Sequence, residues 1–145
     1  MKMIQSMTQL IATAAIGLTL AASANAESVV VVVNPKSSVT SLTADQVANL
    51  YLGKTNQLGS GSAVVVDLPE ASASREHFYG KATGKTTPQV KAIRSRLMFS
   101  GKATPSKELG SSADVKKFVA SNPDAIGYIE KSALDGSVKA VLTLD

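Results

Sequence analysis

Short apolar runs alternate along the chain with stretches of helical spacing. Five consecutive valines at 29–33 follow a serine and predict a strand over 28–33 that is buried on both faces, which is typical of a parallel sheet. The apolar run 63–66 predicts a second strand. Two more strands are predicted at 125–129 and 138–142, with an Asp135-Gly136 turn between them.

Four segments with helical spacing lie between these strands. Thr43 and Gln46 form a capping-box pattern, and Gly53 is a typical helix stop. The other helices are expected to begin at Ser72 or Ser74, at Thr87 with Pro88 as the first helical residue, and at Ser111 or Ser112. The helix after Pro88 is expected to bury Val90, Ile93, Leu97 and Met98.

The resulting order is β-α-β-α-α-α-β-β, and the chain shows no internal repeat. Alternation of this kind predicts an α/β fold, with helices packed on a mixed sheet. No linker divides the sequence, so residues 27–145 are predicted to form a single domain.

Residues 1–26 have the pattern of a secretory signal peptide. Lys2 supplies a short positive n-region, residues 10–22 are free of charge, and Ala24-Asn25-Ala26 is a small-x-small cleavage signal. The apolar run is shorter than the roughly 20 residues that a membrane-spanning helix needs. We therefore expect export to the periplasm and removal of residues 1–26.

Composition excludes several classes of chemistry. The 145 residues contain no cysteine and one histidine, which excludes a disulfide scaffold, an iron–sulfur cluster, thiol catalysis and a multi-histidine metal site. The net charge of +4 comes from scattered lysines without interleaved aromatic residues, so we predict no nucleic-acid binding. We predict no cofactor and no metal.

An exported hydrolase is the enzyme alternative. It would have to use His77, the only imidazole, and no Gly-x-Ser-x-Gly pattern is present. We therefore predict a protein that is not an enzyme.

The segment from Asp67 to Arg75 is the strongest candidate binding site. A strand ends there, small hydroxyl residues follow, and a helix begins with Ser72, Ala73, Ser74 and Arg75. A helix N-terminus presents N–H groups and partial positive charge to an anion, and the serine hydroxyls and the arginine add donors. Simple helix capping by serine is the alternative interpretation.

Several segments together resemble the periplasmic phosphate-binding proteins of ABC transporters, and more closely the short single-lobe substrate-binding proteins related to them. They occur in order along nearly all of residues 27–145. The matching pieces are Val31-Val32-Val33-Asn34-Pro35, Leu42-Thr43 leading to Leu50-Tyr51-Leu52-Gly53-Lys54, the loop before Phe78, Met98-Phe99-Ser100-Gly101 and Asn122-Pro123-Asp124-Ala125-Ile126-Gly127-Tyr128.

The resemblance implies one lobe of a type II periplasmic-binding-protein fold. It also implies an oxyanion held by an arginine and a Ser-Gly-Thr loop, which Ser72, Ala73 and Ser74 match residue by residue. Two departures stand out: Asp67-Leu68 occupies the region of the family's arginine, and residues 27–145 are expected to form one lobe only. A homodimer would rebuild a two-sided cleft.

Two functions follow as hypotheses. The first is a solute-binding protein that holds phosphate or a related oxyanion at Ser72, Ala73, Ser74 and Arg75 and delivers it to an ABC permease. The second is an accessory or sensory module that binds no solute and docks on a membrane protein. The second hypothesis predicts an exposed apolar patch where the other lobe would pack.

Overall fold

The computed structural model describes residues 28–145. The predicted signal peptide lies outside this range. In the part described, no helix has the length and apolar character required to cross a membrane.

A five-stranded mixed sheet forms the centre of the fold. Its strands lie in the order β5-β4-β6-β1-β7. Their bounds are β1 Val29–Val33, β4 Val64–Asp67, β5 Lys107–Glu108, β6 Ala125–Glu130 and β7 Lys139–Leu144, and β2 Gln57–Leu58 with β3 Gly61–Ser62 forms a separate small hairpin. The α/β lobe with a mixed sheet is therefore confirmed.

The valine strand is buried as predicted, but its pairing differs from the expectation. All five valines of β1 are at most 1% exposed. The strand runs antiparallel to both neighbours, β6 and β7, whereas β4 is parallel to β5 and β6. Burial on both faces, rather than strand direction, explains the apolar run, so the prediction of a parallel environment for β1 was wrong.

The last two strands do not form a hairpin across the Asp135-Gly136 turn. Strand β1 lies between β6 and β7 and pairs with both. The connection after β6 forms a short 3₁₀ helix at Lys131–Ala133 before it reaches β7 on the far side of β1. Strand β1 has backbone N–H and C=O groups along both of its edges, and β6 and β7 each pair with one edge.

Four helices cover the sheet: α1 Ala44–Leu52, α2 Ala73–Thr83, α3 Thr87–Phe99 and α4 Ser112–Ser121. The predicted capping box at Thr43 is present, Gly53 ends α1 at φ 81°, and Ser72 and Ser111 cap α2 and α4. Helix α3 is capped by Thr86, one residue earlier than expected, because the Thr86 and Gln89 side chains form a capping box.

Helix α3 buries less apolar surface than its spacing predicts. Val90 is 1% exposed, but Met98 is 38% exposed and Phe99 is 95% exposed. Arg94 is buried on this helix, and its guanidinium donates to the carbonyls of Tyr51 and Thr104. The buried face therefore turns toward Arg94, which leaves Met98 outside the core.

Candidate functional site

Asp67, the last residue of β4, is a buried carboxylate. It is 2% exposed. Its Oδ1 accepts hydrogen bonds from the Leu68 N–H at 2.9 Å and from the Tyr128 hydroxyl, and its Oδ2 accepts one from the Tyr79 hydroxyl. A buried charge is tolerated only when it is paired and hydrogen-bonded, and these donors meet that requirement.

Arg75 supplies the matching positive charge from the first turn of α2. Its Nε lies 3.9 Å from Asp67 Oδ1, and its Nη1 donates to the Leu68 carbonyl at 2.8 Å. Its Nη1 also lies 3.6 Å from Glu108. The guanidinium is 5.3 Å from the centre of the Tyr79 ring, a cation–π contact. Arg75 is therefore held by neighbours on several sides.

An aromatic cluster supports this ion pair. Phe78 and Tyr128 stack with ring centres 3.9 Å apart, and Tyr51 meets Phe78 edge-on at 4.6 Å. The Tyr51 hydroxyl donates to the Val66 carbonyl at 2.7 Å, one residue before Asp67. Because the rings are buried and packed together, they hold the Tyr79 and Tyr128 hydroxyls against the Asp67 carboxylate.

The electrostatics follow from burial and from the Asp67 charge. Burial, and then the negative charge of Asp67, raises the pKa of both Tyr79 and Tyr128 far above the ordinary value. Burial lowers the pKa of Arg75, but the charge of Asp67 and the other neighbours outweighs burial and raises it. The tyrosines stay protonated hydrogen-bond donors and the arginine stays charged.

The N-terminus of α2 lies beside this cluster. The Ser72 hydroxyl accepts from the Arg75 N–H at 3.3 Å, which is the predicted cap. The side chain of Ser74 is buried and donates to Glu130 at 3.1 Å. The N–H groups of Ala73 and Ser74 lie in the first turn, where an α-helix offers no intrahelical acceptor.

Two helix N-termini border the same cavity. The beginnings of α2 and α4 face a space of about 580 Å³ whose lining includes Ser72, Ser111, Ser112 and Glu130. The partial positive charges of both helix ends therefore converge there. Glu130 places one carboxylate in the lining and accepts from Ser74, which partly offsets those charges.

No family model and no curated protein sequence matches the chain. Solved structures do match. A protein from Clostridium perfringens assigned to the phosphate ABC transporter substrate-binding proteins, with phosphate bound, is 26% identical with a TM-score of 0.64, over 79% of this chain and 44% of that one. An ABC-type phosphate transport receptor from Vibrio cholerae is 23% identical with a TM-score of 0.63, over 79% and 45%.

PstS from Borrelia burgdorferi shows the same fold at 15% identity, with a TM-score of 0.61 over 79% of this chain and 46% of that one. This chain has the fold of one lobe of a phosphate ABC transporter substrate-binding protein. The resemblance predicted from the sequence is confirmed at the level of the fold. The chain spans less than half the length of each of these structures.

Within this phosphate-binding-protein fold, the four predicted site residues do not share one pocket. Ser72 lines the cavity between α2 and α4. Arg75 instead lines a cleft of about 440 Å³ on another side, together with Asp67, Glu108 and Arg94. Ala73 and Ser74 begin the helix between them. Ser72 and Arg75 therefore border different spaces, and Ala73 and Ser74 line neither of the two.

Sequence reasoning missed the partners that decide this arrangement. Tyr79, Tyr128 and Glu130 were not singled out as site residues, although each contacts a residue of the candidate segment. The one available signal was Asp67, a carboxylate at the end of an apolar strand, because such a group needs buried donors. Which side chains supply those donors depends on contacts 12 and 61 residues away.

Proposed function

We propose that the chain is a periplasmic solute-binding protein of the phosphate ABC transporter type, not an enzyme, that binds phosphate or a related oxyanion. The observation that carries the proposal is the pair of helix N-termini that face one cavity beside Ser72. N–H groups and hydroxyls at a helix N-terminus are suitable donors for an anion of this class. The matched solved proteins are named for phosphate transport, which supports the same class of ligand.

The proposed contacts are the Ala73 and Ser74 N–H groups and the Ser72 hydroxyl. Arg75 belongs to the same helix start, and its charge is already paired with Asp67 and Glu108. An ABC permease is the proposed recipient of the solute. We propose that a homodimer supplies the second wall of the cleft, because residues 28–145 have the fold of one lobe of the matched structures.

Calorimetric titration with phosphate, and with sulfate as the comparison anion, tests this function. We expect a dissociation constant below roughly 10 µM, about −7 kcal/mol. The Ser72→Ala/Ser74→Ala double variant should bind phosphate more weakly, because it removes the hydroxyl contact and keeps the backbone N–H groups. A Ser121→Ala variant is the matched control, because the Ser121 hydroxyl is exposed and bonds only within α4.

Absence of heat at millimolar phosphate, with no thermal stabilisation, would refute the solute-binding proposal. Equilibrium sedimentation of the same protein, with and without phosphate, tests the dimer. A monomer at all concentrations that bind phosphate would refute it.

The second candidate function is an accessory or sensory module that binds no solute and docks on a membrane protein. The exposed end of α3 favours it, since the neighbouring Met98 and Phe99 are 38% and 95% exposed and are available to a partner. A Phe99→Ser variant should leave folding unchanged and reduce crosslinking to membrane proteins in cells. Unchanged crosslinking would contradict docking through this residue.

A further inference from the structure

We propose that the Asp67 carboxylate is a built-in anion that occupies the donors of Arg75, Tyr79 and Tyr128 and so closes this cluster to any external oxyanion. The inference rests on the proposed oxyanion function in one respect: it confines the external anion to the Ser72 side of α2. It makes Asp67 the residue that decides which donors a solute can reach.

The donor set around Asp67 is that of a filled anion site. Two hydroxyls and one backbone N–H bind its two oxygens, and the Arg75 guanidinium lies against Oδ1. The Arg75 Nε is buried and has no hydrogen-bond partner, so only the charge of the Asp67 carboxylate, 3.9 Å away, compensates it. An external anion would need these same donors.

The charges lead to the same conclusion. Arg75 faces two carboxylates, the buried one of Asp67 and the half-exposed one of Glu108. These three groups sum to a net negative charge, because one guanidinium faces two carboxylates. Of the other cations that line this cleft, Lys91 is paired with Glu70, and Arg94 donates to the carbonyls of Tyr51 and Thr104. A phosphate or sulfate brought to Arg75 would meet a carboxylate at close range, where repulsion in a buried setting is strong.

The cluster is nevertheless close to solvent. Asp67 and Arg75 both line the cleft that also contains Lys91, Arg94 and Ser95. Removing the Asp67 carboxylate would therefore leave a vacated volume with donors already in place and a route from solvent. Formate matches the lost group, since truncation of aspartate to alanine deletes one carboxylate.

The test is rescue of an Asp67→Ala variant of the full chain by sodium formate. We expect the variant to unfold at a lower temperature than wild type. Formate at about 100 mM should then raise its unfolding midpoint by on the order of 5 °C more than sodium chloride of equal ionic strength. Wild type should respond equally to both salts.

Tyrosine spectroscopy gives a second, local readout. The chain contains three tyrosines and no tryptophan, and all three belong to the aromatic cluster. The near-ultraviolet circular dichroism therefore reports mainly on the surroundings of Asp67, with the remainder from three phenylalanines. In Asp67→Ala, formate should restore the wild-type tyrosine signal.

Two variants control for general salt effects. Asp67→Ala/Arg75→Met lacks the cation that would hold formate, so its response to formate should equal its response to chloride. Asp124→Ala removes an exposed carboxylate and should show no formate-specific shift. A formate effect that equals chloride in Asp67→Ala, or that persists without Arg75, would overturn the proposal.

Wild type keeps the proposal testable if Asp67→Ala does not fold. Phosphate should leave the wild-type tyrosine signal unchanged, even where calorimetry detects binding. A phosphate-dependent change in wild type, abolished by Arg75→Met, would refute the built-in anion. Absence of phosphate heat in wild type would refute only the proposed function, because the formate result does not depend on it.

Discussion

Removing one hydroxyl from the buried cluster measures how strongly Asp67 is held. In Tyr128→Phe the ring keeps its stacking on Phe78, at 3.9 Å between centres and 6° between planes. The lost contacts are the hydrogen bond that the hydroxyl donates to a buried carboxylate and the one that it accepts from the Leu68 N–H at 3.2 Å. Bonds to charged groups contribute about 1.5–3 kcal/mol, and the Leu68 N–H still bonds Asp67 at 2.9 Å. We therefore expect a loss of about 2 kcal/mol.

Tyr51→Phe is the matched control in the same cluster. Its hydroxyl donates at 2.7 Å to the Val66 carbonyl, a neutral acceptor, for which the expected loss is about 1 kcal/mol. Urea unfolding followed by far-ultraviolet circular dichroism gives both values. A double-mutant cycle of Tyr128→Phe with Asp67→Asn should show a coupling above about 0.5 kcal/mol.

Equal losses for Tyr128→Phe and Tyr51→Phe would refute the reasoning, because the charge of the acceptor would then make no difference. A coupling near zero between positions 128 and 67 would refute it independently.

Three further predictions concern pH, packing and capping. Burial and the nearby carboxylate raise the pKa of Tyr79 and Tyr128, so the stability that these tyrosines contribute is complete below about pH 10, their pKa in the unfolded chain, and is lost as the pH rises above it. An absorbance titration should show no tyrosinate before the protein unfolds, and ionisation of the folded protein near pH 10 would contradict this. Gly127→Ala places a Cβ 2.6 Å from Val115 Cγ1 and should lower the free energy of unfolding in urea by about 1–3 kcal/mol, with partial recovery when Val115→Ala is added. No loss of stability in Gly127→Ala would contradict the close packing of α4 on β6. Asn34→Ala removes two hydrogen bonds from the Asn34 side chain to carbonyls in the last turn of α4, at 2.9 and 3.0 Å, and should lower the free energy of unfolding by about 2 kcal/mol. Amide hydrogen exchange in α4 should become faster, and unchanged exchange would argue that Asn34 does not cap this helix.

Local features of the fold were predictable because they depend on neighbouring residues. The capping box at Thr43 forms between residues three apart, and Ser72 caps its helix in the same way. The five valines of β1 indicated burial on both faces, which is a property of their own side chains. The strand's antiparallel pairing was not predictable, because apolar runs carry no information about the direction of a neighbour.

The candidate site shows the same difference between local features, which the sequence predicts, and long-range contacts, which it does not. The sequence by itself predicted the segment from Asp67 to Arg75 as a candidate, because a strand end followed by serines at a helix start is a local pattern. Only the tertiary structure decided that Arg75 turns to Asp67 and that Tyr79 and Tyr128 complete the cluster. Those contacts exist because β4 and β6 are adjacent and α2 packs beside them, and strand order and helix packing are set by the whole chain.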